Sequence, residues 1–360
     1  MARYSFLFIL LIGLFSSCKS DDPSEEKNNF EFTTPLLFGD NFTIPSDNPM
    51  SEAGIELGRK LFYETLISKD SSISCSSCHK QEFCFSDGGK KFSTGTERTE
   101  GDMHSMTIVN TLWQNEFFWD GRAISLEDQA LKPISNPIEM NLSINDAVKR
   151  LQAHKTYPAL FEEVFGSNTI DSTMIARALA QFERTLISGE SKFDKYKRGE
   201  AEFTEQEKRG EELFFTHPDP LYSVRGGNCG DCHSGFLTQA NTFSNNGLDE
   251  SPEIGRMAVT KNQNDIGKFK IPSLRNIEHS APYMHDGRFA TLEEVLEHYN
   301  EHIQSSSTLD PLIIESSNSI NSKQLDLTEK EREDIVVFLK TLTDNQFLNN
   351  EKFSKPLNND

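Results

Sequence analysis

The 360-residue chain is short of positive charge, of apolar residues and of alternating strand patterns. Lys and Arg number 36 against 56 Asp and Glu, for a formal net charge of -20. Nucleic acid is gripped by Lys and Arg that displace phosphate counterions, so this balance excludes it as a partner. A cationic protein is the partner the charge favours. Only 36% of residues are hydrophobic, yet Phe alone contributes 27, so something besides side chains is expected to complete the core. A chain of this length is long enough to bury a real core, which excludes a tiny disulfide-stapled scaffold. At roughly 100 to 200 residues per domain, about two domains are expected.

Long apolar runs are also missing. The run Phe6 to Phe15, preceded by Arg3, is shorter than the roughly 20 residues of a spanning helix. It reads as a signal peptide over residues 1–17. Ser16 and Ser17 ahead of Cys18 resemble a bacterial lipoprotein processing site, with ordinary cleaved secretion as the alternative. On this reading Cys18 carries the lipid, residues 18–48 are a tether, and the protein lies in the periplasm or cell envelope, touching membrane only through its anchor. Lys19 to Asn29 is too polar to fold by itself.

What is present is more specific. Cys75-Ser76-Ser77-Cys78-His79 recurs as Cys229-Gly230-Asp231-Cys232-His233. C-x-x-C-H is the attachment motif of c-type haem. Two thiols three residues apart reach two vinyl groups on one porphyrin edge, and the next imidazole falls beneath the iron. Zinc would want further Cys or His ligands close by, and a thioredoxin-like pair would want a βαβ context. Export to an oxidising compartment fits the haem reading. Cys84 is left over as a partly buried free thiol.

The motifs sit inside a longer repeat. Gly58-Arg59-Lys60-Leu61-Phe62 matches Gly210-Glu211-Glu212-Leu213-Phe214, and Thr107-Ile108-Val109-Asn110 matches Ser273-Leu274-Arg275-Asn276. Asp120-Gly121-Arg122 matches Asp286-Gly287-Arg288. The chain therefore reads as an all-α fold of two tandem haem domains, residues 49–199 and 200–345, followed by a polar tail at 346–360. Thr204, Thr291 and Thr328, each with Glu three residues on, are capping boxes that start helices. Ile175, Leu179, Phe182 and Leu186 form one core stripe, and Ile335, Phe338, Leu339 and Leu342 another. Thr238 to Asn264, rich in Asn, Gly and Ser, reads as a long loop of the functional or mobile kind.

Together with Phe118-Trp119-Asp120-Gly121-Arg122-Ala123 and Pro133-Ile134-Ser135-Asn136-Pro137-Ile138-Glu139-Met140, these motifs resemble the bacterial diheme cytochrome c peroxidase and MauG family over about residues 50 to 345. The resemblance implies two cytochrome c-like domains with covalent haem on Cys75, Cys78, Cys229 and Cys232, and with His79 and His233 as iron ligands. It makes Glu139 the distal acid and base, Trp119 the aromatic between the haems, and Gln129 and Pro133 the lining of the distal pocket. A single carboxyl can take a proton from one peroxide oxygen and deliver it to the other, which suits Glu139.

Two departures from the pattern matter. Members that need reductive activation carry a distal His in a Gly-His step, which here is Gly95-Thr96, so the first iron is expected open when fully oxidised. His104 stands where the family has an Asn ligating a bridging calcium ion; this puts calcium in question, although Ser280 and Pro282 match its carbonyl positions. His104 is open to three readings: a hydrogen bond at the haem edge, an alternative distal ligand, or a structural residue. At the second haem the usual Met position is Tyr299, with His298, Met284 and Met257 as competing ligands. An anionic oxygen favours oxidised iron and a thioether reduced iron.

The resemblance implies reduction of hydrogen peroxide with electrons from a cationic cytochrome c-like or cupredoxin donor, and a homodimer. The alternative is MauG-like oxidation of a protein or small substrate. A plain electron carrier would gain nothing from an open iron beside a carboxyl.

Overall fold

Two pairs of crossing helices repeat one another in the computed structural model, which describes residues 30–320, 322 and 324–357. Glu52–Phe62 crosses Ser172–Arg184, and Glu205–Phe215 crosses Glu329–Lys340. Ser51, Asp171, Thr204 and Thr328 cap these helices, each side chain accepting from the amide three residues on. The capping boxes at Thr204, Thr291 and Thr328 are all formed. Both apolar stripes are buried.

Glycine permits the crossings. A Cβ at Gly58 would stand 1.9 Å from Ala178 O, and one at Gly210 would stand 1.9 Å from Asp334 O. The sequence repeat is thus a packing repeat, and it extends to the turns. Asn110 and Asn276 both adopt left-handed backbone, at φ 52° and 58°. Their amides donate to Leu186 O at 2.9 Å and Leu342 O at 3.1 Å, and their side-chain oxygens accept from Ser188 N at 2.8 Å and Asp344 N at 2.7 Å. The two copies meet at this point. Ser188 Oγ donates to Asp344 Oδ2 at 3.2 Å, and Asn276 Nδ2 lies 3.0 Å from Ser188 Oγ and 3.5 Å from the sulfur of buried Cys84.

The molecule is mostly helical, as expected. Among the described residues the only paired strands are Phe243–Ser244 and Phe269–Lys270, antiparallel, with Phe243 opposite Lys270. Two large apolar clusters organise the rest, one around Leu61, Phe62 and Phe182, the other around Phe214, Phe338 and Leu342.

Both flanking segments differ from expectation. Residues 30–48, read as part of a tether, pack onto the body: Phe38 and Phe42 meet Trp113 edge-on at 5.5 and 5.6 Å, and Trp113 Nε1 donates to Gly39 O at 3.1 Å. Aromatic residues supply the apolar area that the preceding polar stretch lacks. Residues 346–360, read as a polar tail, bury Phe347, Leu348 and Phe353 in the first cluster. Arg59 Nε donates to Ser354 O at 2.8 Å and Tyr63 Oη to Phe353 O at 2.7 Å, so the C-terminal segment straps the second copy back onto the first. The expected signal peptide and Cys18 lie outside the described residues. Among the described residues no helix is long and apolar enough to cross a membrane.

Candidate active site

Each C-x-x-C-H motif coils into one tight turn, Cys75–Cys78 as a short helix and Cys229–Asp231 as a 3-10 turn. His79 N donates to Cys75 O at 3.0 Å and His233 N to Cys229 O at 2.8 Å, so two thiols and an imidazole reach one cavity in each copy. The first cavity measures about 540 Å³ and the second about 250 Å³. His79 Nδ1 stands 2.7 Å from Phe85 O and His233 Nδ1 stands 3.3 Å from Thr238 O. A carbonyl only accepts, so Nδ1 carries the proton and Nε2 keeps its lone pair for a metal. Burial lowers both imidazoles below their ordinary range, His233 to about 4, so both are neutral at pH 7. Burial likewise pushes the thiols up, to about 12 for Cys229 and about 11 for Cys232. Paired thiols and an oriented neutral imidazole on a roomy cavity fit haem attachment in both copies.

The first cavity is the polar one. Glu139, Gln129, Pro133 and Trp119 all line it together with Cys75, Cys78 and His79. Glu139 follows the short Lys132–Ser135 helix, and Asn136, which ends that helix, reaches Glu139 Oε1 with its amide at 2.6 Å. Burial raises the Glu139 carboxyl above its ordinary range, opposed by the Asn136 hydrogen bond and the charge of Arg122. Gly95-Thr96 packs on its backbone: the Thr96 amide donates to Glu139 O at 2.8 Å and the Thr96 hydroxyl at 3.2 Å, while a Cβ at Gly95 would strike Ile138 O at 2.2 Å. Sequence reasoning noted the missing histidine at this step but not the supporting roles of Thr96 and Asn136. Both contacts join residues whose significance depends on how the loop turns.

Glu183 was also missed. It sits in the helical stripe between Phe182 and Arg184, is 5% exposed, and lines the first cavity. The equivalent position in the second copy is Leu339, which lines the second cavity. That asymmetry was readable by aligning Phe182 with Phe338. Burial raises Glu183 from 4.5 to about 8, partly countered by Arg184. The folded chain therefore holds a proton that the unfolded chain releases above about pH 4.5, so this group's stabilisation is full below that pH and lost as pH climbs through about 8. Glu183→Gln is expected to flatten the fall in melting temperature over that window. Parallel curves for variant and wild type would remove Glu183 as its source.

Trp119, His104 and Lys270 line both cavities and form the wall between them. Trp119 is pinned at both ends, its Nε1 donating to His104 O at 2.8 Å and its carbonyl accepting from Lys270 N at 2.7 Å. His104 is buried, with Nδ1 3.2 Å from Lys90 O and Nε2 lacking a partner among the described residues. Lys270 is buried as well, and desolvation lowers its amine to about 8.

The second cavity is more apolar, lined by Phe214, Leu296, Ile335 and Leu339 beside Cys229, Cys232 and His233. Tyr299 and Met284 face it, whereas His298 and Met257 do not. Burial pushes the Tyr299 phenol up to about 12, so it keeps its proton unless a cation takes the oxygen.

Residues 52–202 match the family model described as di-haem cytochrome c peroxidase. The methylamine utilization protein MauG of Methylorubrum extorquens is 35% identical over 302 residues, 83% of this chain and 80% of that protein. Cytochrome c551 peroxidase of Nitrosomonas europaea is 34% identical over 309 residues, 84% of each chain. The crystal structure of a MauG-like protein associated with microbial copper homeostasis matches with a TM-score of 0.81 at 33% identity, over 91% of this chain and 99% of that one.

Proposed function

The chain belongs to the di-haem cytochrome c peroxidase family, and on that premise we propose that it reduces hydrogen peroxide at the first cavity with electrons entering through the second. The observation that carries this reading is Glu139, a half-buried carboxyl held by Asn136 on the cavity that His79 also lines. We assign covalent haem to Cys75 and Cys78 and to Cys229 and Cys232, with His79, His233 and Tyr299 as iron ligands, in two tandem domains, 49–199 and 200–345. When bound, the haems supply one-electron couples and, at the first site, a Lewis-acidic iron.

The chain supplies the rest. Peroxide takes up two electrons and two protons to become two waters. The Glu139 carboxylate takes the proton from one peroxide oxygen and returns it to the departing one. Asn136 and the two Thr96 hydrogen bonds keep that carboxyl and its backbone from swinging away, and Gln129 and Pro133 bound the space beside it. Trp119 presents a π-system in the shared wall, where electrons must cross. A charge of -20 suits a small basic donor, cytochrome c-like or cupredoxin, steered to the surface by its lysines. Cys18 would tether the protein by lipid to the cell envelope.

One observation favours a second reading, MauG-like oxidation of another substrate: a phenol rather than a thioether stands on the Leu292–Glu301 helix at the second cavity. Either way, Thr96 in place of a distal histidine implies a first site open without prior reduction. Fully oxidised protein mixed with stoichiometric peroxide is expected to react at once, followed by stopped-flow absorbance. A reaction that becomes fast only after one-electron reduction would overturn the open site. Turnover with a basic donor cytochrome then separates the two readings, since the oxidase reading expects little.

A further inference from the structure

The stretch from Thr238 to Asn264 carries two adjacent asparagines with different duties. Asn245 is taken up by the fold: its Nδ2 donates to Ser306 Oγ at 3.0 Å and Thr308 Oγ1 at 2.9 Å, and its Oδ1 accepts from Gly247 N at 3.0 Å. With the strand Phe243–Ser244 on one side and this anchored turn on the other, Asn246 is held at the wall of the second cavity. Its carbonyl accepts from His298 Nε2 at 3.1 Å, and its side-chain nitrogen lies 3.3 Å from both the Tyr299 oxygen and the Met284 sulfur. An amide nitrogen carries two N–H groups, so it serves both neighbours at once.

All three neighbours are chemically able to bind iron. His298 Nε2 must hold its proton to donate to the Asn246 carbonyl, so that nitrogen offers no lone pair. Tyr299 and Met284 both face the cavity that His233 lines. Oxygen accepts an amide proton well and a thioether only weakly, so the shared donor holds the Tyr299 oxygen more firmly than the Met284 sulfur. Resting on the haem assignment above, we propose that Asn246 is the positioning residue that selects the Tyr299 oxygen over the Met284 thioether as axial donor of the second haem. The choice sets how readily that site accepts an electron, because a thioether raises the potential of haem iron and an anionic oxygen lowers it.

Holoprotein would be compared as wild type, Asn246→Leu, Asn246→Asp, Tyr299→Phe and the pair Asn246→Leu with Met284→Leu. The readouts are the near-infrared charge-transfer band, the ferric electron paramagnetic resonance spectrum and the reduction potential of the second haem. Asn246→Leu is expected to gain a thioether-type near-infrared band and an upward shift in potential, and the double variant to lose that band. Asn246→Asp keeps the shape but replaces both donors with an anionic acceptor, so its spectrum and potential are expected to change even if leucine is poorly accommodated. Wild-type spectra and potential in both single Asn246 variants, alongside an altered Tyr299→Phe, would overturn the selector role and leave the Tyr299 assignment standing. An unaltered Tyr299→Phe would overturn both.

Discussion

Glu139→Gln is expected to lower peroxide turnover by about 100- to 10,000-fold, the range that a positioned proton-transfer group contributes. Glutamine keeps the shape and can still meet the Asn136 amide, but it cannot exchange a proton between two oxygens. Haem content and the resting spectrum should be unchanged, so steady-state turnover measured beside them isolates the chemical loss. The pH profile adds a sign. Because burial raises this carboxyl, the carboxylate needed to accept the first proton appears at higher pH than in an ordinary glutamate, and the acid limb of kcat/KM should shift upward. Arg122 and Asn136 both oppose that rise, so removing either should move the limb further up. A Glu139→Gln protein with wild-type turnover would place the proton transfer elsewhere, with Glu183 the next carboxyl on the same cavity.

Loss of the Asp194–Arg275 pair should have the largest effect on stability. Arg275 is fully buried, and Asp194 is 1% exposed. The guanidinium reaches Asp194 Oδ2 at 2.5 Å, Ser191 Oγ at 3.2 Å and the Phe236 carbonyl, and lies 4.9 Å from the centre of the Phe38 ring. The pair therefore ties the second copy, the helix Lys192–Lys197 and the N-terminal segment at a single point. Asp194→Ala strands a buried cation, and a loss of about 3–5 kcal/mol is expected. Arg275→Met strands a buried carboxylate that still has Ser191, whose amide and hydroxyl both donate to it. Combining the two substitutions should cost clearly less than their sum, because the double variant leaves no unpaired charge. Denaturant titration of the four holoproteins measures this; strictly additive losses would mean that the two charges do not depend on each other.

Local rules account for what could be read in advance. The capping boxes at Thr204, Thr291 and Thr328 involve residues three apart, and the stripes through Phe182 and Phe338 follow helical periodicity, so each was visible without knowing the fold. Failures fell where distant segments meet. Residues 346–360 look polar by average composition, but Phe347, Leu348 and Phe353 find a place against the Glu52–Phe62 helix and its neighbours. The segment around Phe38 was likewise averaged into the polar stretch before it. Asn246 was hidden in a loop called by composition, since nothing near it in the chain announces Tyr299, 53 residues on.

The sequence by itself determined the two C-x-x-C-H motifs, the repeat and the helix starts, because each depends on spacing along one continuous stretch. Tertiary structure decided which of those residues share a space. It brought Glu139, Gln129, Pro133, Trp119 and Glu183 to the cavity of the first motif, and set Trp119 and Lys270 into a wall common to both cavities. The physical reason is that burial and hydrogen-bond partners belong to the packed chain. A carboxyl becomes a proton carrier, or a phenol a metal donor, only through the neighbours that packing supplies.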